Sequence, residues 1–343
     1  MKKLQILTIK QGYGILEREA ITLANSLSDL FFIEIVFLNK DGNKISYELN
    51  KNIIVKYLEE KVSPFKRINN VLFGRDVRDT IDEFKPDIIL TIDPIYNSIV
   101  NNYRKIKKVF WLQNNNTELT PTEISALKNF EEVIYSNEEI KKNYAKTIKT
   151  PGIVIPSFIT IPKDTCYYDT NRIVSVVEST DYDSLSDLLD LMAEISAQND
   201  QVKLNIIGDH CGRNELLSII RQRKLERFIN IYGELEINEI IDIMSANSLF
   251  INVSSKLNGI YMIYAMSLGL PVISYSTQIG IKDIIENDLN GYIIKPNGQK
   301  EFINKTLDLI SNKKALANLG ACARESIRAN DINSIKSEWI KVL

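Results

Sequence analysis

Histidine is nearly missing from this chain: His210 stands alone among 343 residues. One imidazole cannot supply a multi-histidine zinc site or a two-histidine facial triad, and any histidine-dependent hydrolase triad would have to pass through it. Cysteine is scarce as well. Cys166, Cys211 and Cys322 lie far apart, odd in number and in no metal-ligand spacing, which argues against a disulfide framework and for a reducing compartment, the cytoplasm. No apolar run reaches the roughly 18 residues that a membrane-spanning helix needs. Met1-Lys2-Lys3 leads directly into the short run Leu4 to Ile9, without the longer apolar core and small-residue cleavage site of a signal peptide. Nor is there an excess of one charge. The 42 basic and 44 acidic residues leave −2, so no global field draws nucleic acid, and any anion site must be local.

What is present is an ordinary globular composition, 44% hydrophobic and 25% charged, long enough for two cores. Short β-branched runs alternate with segments of helical period, the pattern of parallel sheets covered by crossover helices. Leu4 to Ile9 reads as a strand, Lys10 to Gly14 as a glycine-bearing turn, and Ile15 to Leu27 as a helix with Leu16, Ala20, Leu23 and Leu27 on one face. Strands follow at 32–38, 53–57, 87–91, 109–112 and 133–136. The stretch Gly152 to Lys163, punctuated by Pro156 and Pro162, reads as an extended connection. Beyond it the alternation restarts, with strands at 173–177, 203–207, 229–232, 249–253, 271–274 and 291–294. The expected class is therefore α/β, with a first domain over 1–156 and a second over 157–343. The last helix, about 330–343, is expected to cross back to the first domain.

From Asn205 the features come in a specific order. Ile206-Ile207-Gly208-Asp209-His210 precedes a helix. Tyr232-Gly233-Glu234 comes next, and after an amphipathic helix the run Ser245 to Ser255. Ala265-Met266-Ser267-Leu268-Gly269-Leu270-Pro271 follows, and then Ile284 to Tyr292. This order resembles the C-terminal domain of the family-4-type retaining glycosyltransferases. Gly12-Tyr13-Gly14 before Glu17, and Val154-Ile155-Pro156-Ser157, are similar to that family's first loop and its approach to the hinge. The resemblance implies a GT-B fold, two facing Rossmann-like domains with a central cleft. It implies a nucleotide-sugar donor, UDP-linked, on the second domain, an acceptor on the first, and no essential metal or cofactor.

The same resemblance marks where this chain departs. The family's phosphate-neutralising arginine and lysine fall on Ser179 and Ser184, with Glu178 and Asp181 nearby. Its two glutamates, separated by seven residues, fall on Lys256 and Tyr264, and Asp242 is the single acid between Ile240 and Met266. Its acceptor-side histidine gives way to the run Gln113-Asn114-Asn115-Asn116. A charged hydrogen bond contributes roughly 1.5–3 kcal/mol, so these losses bear directly on donor binding.

The residues expected to meet the donor are Gly12, Gly14, Ser179, Ser184, Gly208, Lys256, Gly259 and Tyr264. Each has a plainer reading beside this one. Gly12 and Gly14 serve a tight turn as well as a phosphate, Tyr264 beside Tyr261 and Met262 serves a helix core, and Lys256 serves as a solvated loop residue. Arg104, Lys105, Lys107 and Lys108, and the group Lys141, Lys142 and Lys146, read as solvated faces, with a membrane or partner contact as the sharper alternative. Two functions remain open. One is a cytoplasmic glycosyltransferase, peripheral at the inner membrane face, adding a hexose or N-acetylhexosamine to a surface glycan, a lipid-linked glycan or a protein. The other is a catalytically inactive homologue that partners a second glycosyltransferase subunit, binding or chaperoning its acceptor.

Overall fold

Leu4, Ile6 and Leu7 are fully buried, as a parallel strand covered on both faces requires. They belong to β1 (Lys2–Lys10), an interior strand of a sheet in a computed structural model that describes all residues except 11–14, 40–47, 60–65, 114–116, 118, 178–180, 209–212, 234, 255–258 and 278. Around β1 stand β2 (Phe31–Asn39), β3 (Ile54–Glu59), β4 (Ile88–Thr91), β5 (Lys107–Leu112), β6 (Glu132–Tyr135) and β7 (Gly152–Val154). All pair in parallel, in the order β3-β2-β1-β4-β5-β6-β7. The second sheet holds β8 (Arg172–Val176), β9 (Lys203–Ile207), β10 (Ile229–Tyr232), β11 (Leu249–Asn252), β12 (Val272–Tyr275) and β13 (Gly291–Ile294). It too is parallel, in the order β10-β9-β8-β11-β12-β13. In both sheets the chain winds outward one way, returns, and winds outward the other, which is the doubly wound arrangement.

The chain divides into two compact units. The first comprises residues 1–160 together with 332–343, and the second residues 161–331. The division at Thr160 falls four residues beyond the 156/157 boundary drawn from sequence. The cause is Phe158, which is buried and stacks on Trp111 of β5 at 5.7 Å between ring centroids. Trp339, on the helix Ile332–Val342, closes the same cluster edge-on to Trp111 at 4.6 Å. That helix carries Ile332, Ile335, Trp339 and Val342 on its buried face, a helical-period stripe, and packs on the helix Ile15–Leu27. β7 is a correction to the extended connection expected from Gly152: its three residues pair with β6 before the prolines take over.

In the second unit the helices Tyr182–Gln198 and Gln299–Ser311 cover one face of the sheet, with Leu188, Met192, Phe302 and Leu309 in a single core. Gly320, on the helix Lys313–Ser326, lies against the Gly269 carbonyl and the Tyr168 hydroxyl, where any Cβ would collide with both. Gly269 itself has φ of 88° and ends the helix Ile260–Ser267, a left-handed conformation that glycine adopts at no steric cost.

Candidate functional site

In doubly wound sheets, ligands meet the carboxyl ends of the strands where the strand order reverses. In the second unit that point lies between β8 and β11. The segment after β8 contains Ser179 and the segment after β11 contains Lys256, and both residues lie outside the described ones, as do Gly12 and Gly14 after β1. The other four expected residues are placed. Gly208 directly follows β9 with φ of 147°, a value that favours glycine. Ser184 is on the first turn of the helix Tyr182–Gln198 and is 7% exposed. Gly259 is the N-cap of the helix Ile260–Ser267, with no side-chain cap, and Tyr264 sits on that helix at 6% exposure. Every residue of that helix but Tyr261 is buried, so Tyr264 belongs to a packed helix.

A polar network that the sequence reading did not single out crosses this edge. The Ser254 hydroxyl donates to Asp181 Oδ2 at 2.5 Å, tying the segment after β11 to the start of the first helix of this unit. Asn252 Nδ2 donates to the Ser254 carbonyl at 3.1 Å and to Ser274 Oγ, on β12, at 2.9 Å. Asp181, Asn252, Ser254 and Ser274 are all at most 3% exposed, so these bonds satisfy groups that would otherwise carry the cost of burial. The only signal in sequence is the position of Asp181 just before a helix, which suggests an N-cap, yet its side chain makes no cap bond.

The electrostatics of this edge are acidic. Asp181 and Asp183 stand at the N-terminus of the helix Tyr182–Gln198, with Asp187 and Asp190 further along. Partial burial holds the Asp187 carboxyl above its usual range, helped by the charges of Asp190, Asp183 and Asp181. The positive end of that helix dipole is thus already matched by carboxylates. The helix Ile260–Ser267 differs: its first turn has no acid and its N-cap has no side chain to accept from the leading amides.

The first unit presents a different cluster at the carboxyl end of its sheet. Glu19, on the helix Ile15–Leu27, is 1% exposed. Its Oε2 accepts from Gln113 Nε2 at 3.1 Å and its Oε1 from the Phe158 amide at 3.2 Å, with a further hydrogen bond from the Ser157 side chain. Burial outweighs these donors and pushes the Glu19 carboxyl up to about 7. Gln113 follows β5 and is 4% exposed. Lys108 corrects the reading of its basic run as a solvated face: it is 2% exposed and its Nζ donates to the carbonyls of Tyr103 and Ile106 at 3.1 and 3.0 Å. Arg104 and Lys105 are exposed. A cavity of about 480 Å³ opens elsewhere in the second unit, beside edge strand β10, between Leu217, Arg221, Glu226 and Tyr232.

Comparison with known proteins bears on this geometry. Residues 161–326 match the family model described as glycosyl transferases group 1. Over the full length of both chains the protein is 21% identical to an uncharacterized glycosyltransferase of Haemophilus influenzae. It is 27% identical, over 55% of this chain and 38% of the relative, to the poly(ribitol-phosphate) α-N-acetylglucosaminyltransferase of Staphylococcus aureus. Among solved structures, Anabaena Alr3699/HepE in complex with UDP and glucose superposes with a TM-score of 0.81 at 16% identity, covering 99% of each chain. The fold is GT-B, with two Rossmann-like units built on parallel sheets of seven and six strands.

Proposed function

We propose that this protein is a glycosyltransferase that moves a hexose or N-acetylhexosamine from a nucleotide sugar, UDP-linked, to a surface-glycan, lipid-linked or protein acceptor. One observation carries the reading. The glycosyl transferases group 1 model spans 161–326, nearly the whole of the second unit at 161–331, and that unit has the sheet order of nucleotide-binding folds. The UDP and glucose held by the Anabaena neighbour, and the N-acetylglucosamine transfer named for the Staphylococcus relative, support the donor class.

The chemistry required of the second unit is stabilisation of a departing diphosphate. The helix Tyr182–Gln198, where the family resemblance puts cations, is poorly suited, because Asp181 and Asp183 already occupy its positive end. The helix Ile260–Ser267 is better suited. Its first turn carries no acid, its N-cap is a glycine, and Lys256 lies four residues before its first residue in the sequence. The diphosphate is therefore assigned to the second unit, at the start of the helix Ile260–Ser267, with Gly208 allowing close backbone approach; Lys256, Gly12 and Gly14, expected from sequence to meet the donor, lie outside the described residues. Ser179 and Ser184 supply hydroxyls rather than charge. Donor binding then depends on backbone dipoles more than on guanidinium or carboxylate groups. The reading calls for no cofactor beyond the donor. It places the protein in the cytoplasm, peripheral at the inner membrane face; no described helix is long and apolar enough to cross a membrane.

The acidic edge favours a second reading, an inactive homologue that binds an acceptor or serves a second glycosyltransferase subunit. Thermal-shift titration separates the two, because a ligand that binds only the folded state raises the melting temperature. UDP or a UDP-sugar raises the melting temperature if the donor site is intact, and Lys256→Ala reduces the rise. No shift with UDP, GDP or their sugars leaves the partner reading.

A further inference from the structure

The buried Glu19–Gln113 pair is not among the residues assigned above to the donor, and its hydrogen bonds are asymmetric. Glu19 receives three donors: the Gln113 amide nitrogen, the Phe158 N–H and the Ser157 side chain. Gln113 gives only one end of its carboxamide. Among the described residues its buried Oε1 has no hydrogen-bond partner, although a buried amide oxygen ordinarily finds a donor. A carboxamide has a donor end and an acceptor end, whereas a carboxylate only accepts and a carboxylic acid both donates and accepts. Ionised Glu19 therefore holds Gln113 by Nε2 and leaves Oε1 turned from it. Once Glu19 takes a proton, its new O–H needs an acceptor, and the unpartnered Oε1 of the same side chain supplies one after a half-turn of the amide.

We infer that Glu19 is a positioning residue whose proton sets which end of the Gln113 carboxamide is presented at the carboxyl end of β5. With Glu19 ionised, Gln113 offers a hydrogen-bond acceptor to the site. With Glu19 protonated, it offers N–H donors. The inference rests on the proposed function in one respect: it takes this end of the first unit as the acceptor side, so the pair sorts acceptor hydroxyls by whether they must donate or accept.

The surroundings leave this proton to the pair itself. Gln113 after β5, and Ser157 and Phe158 after β7, are neutral. Glu17 and Arg18 flank Glu19 on its own helix and are buried with it, at 1% and 3% exposure, but neither is among the causes of its shift. On the packed helix Ile332–Val342, Lys336 is engaged by Asp29 at 3.0 Å, and on β2 Glu34 accepts from Gln5 at 2.6 Å and faces Lys56 at 3.5 Å. Burial is the largest influence on Glu19 and raises its pKa to about 7, with no neighbouring charge among the causes. Both protonation states are thus populated near neutrality.

Glutamine-selective ¹⁵N labelling of the full chain, with the Gln113 signal assigned by its loss in Gln113→Met, tests this without any substrate. The Gln113 side-chain amide signals should shift between pH 5 and 9 with a midpoint near 7, and Glu19→Gln should hold them fixed. Signals that stay flat in the wild type overturn the inference, and so does an unchanged titration in Glu19→Gln. The second readout is the pH profile of transfer, with donor turnover as the measure: wild type and Glu19→Gln should diverge below pH 7, whereas parallel profiles reduce the pair to packing. A titrating Gln113 in a protein that transfers no sugar would leave the pair standing and remove the transferase reading; an active enzyme with a flat Gln113 would do the reverse.

Discussion

The two units share one winding and put it to opposite electrostatic use. Strands β3-β2-β1-β4-β5-β6 and β10-β9-β8-β11-β12-β13 follow the same order. The first unit carries 25 Lys and Arg against 21 Asp and Glu, the second 17 against 23. In the first, the helix after β1 buries Glu17 and Glu19, and the Glu19 carboxyl, hydrogen-bonded by neutral donors, has its proton in play near neutral pH. In the second, the helix after β8 carries acids along its length, one of them bonded to Ser254. Topology therefore fixes where a site can form, and the side chains at the strand ends decide what charge it tolerates. For the proposed function this matters directly: the unit that matches the glycosyl transferases group 1 model is the more acidic one.

The comparison can be broken most forcefully in the first unit. Trp339→Ala removes the ring that closes the Trp111–Phe158 cluster and should cost about 3–5 kcal/mol. Hydrogen exchange should show lost protection at 1–160 and retained protection at 161–331. Next comes Glu19→Gln. A carboxyl raised from 4.5 to about 7 in the folded state favours folding fully below the unfolded value, and that contribution disappears as pH rises through the folded one. Wild-type stability should thus fall between pH 4.5 and 8 relative to Glu19→Gln, by on the order of 3 kcal/mol in denaturant titrations. In the second unit, Ser254→Ala takes a donor from buried Asp181 and should cost about 1.5–3 kcal/mol, read as a lower denaturation midpoint at unchanged slope. The smallest effect sharpens the charge contrast: Asp183→Asn should raise UDP affinity about two- to five-fold in calorimetry, by relieving the acid at a helix N-terminus.

Periodicity made most of this fold readable. The expected strands at 203–207, 229–232 and 291–294 coincide with β9, β10 and β13, because short isoleucine-rich runs between turn residues leave few alternatives. β7 escaped, since three edge residues followed by Pro156 show no alternation. The helix Lys66–Phe84 is given no bounds in the sequence reading; its described buried positions include Val77, Ile81 and Phe84. Tyr264 could be read as a helix-core aromatic from its neighbours. Glu19 could not: between Arg18 and Ala20 it looks like a solvated charge, and its burial is set by Phe158, 139 positions away. Lys108 misleads in the same way, since its partners are backbone carbonyls that carry no signature in sequence.

The backbone leaves the first unit at Ile159 and returns at Ile332, where the amide of Ile332 donates to the carbonyl of Ile159 at 2.9 Å. The second unit is therefore an insertion inside the first. On the ribosome, residues 161–331 emerge whole before Trp339 has been synthesised, so the inserted lobe can complete its core while its host still waits for its last helix.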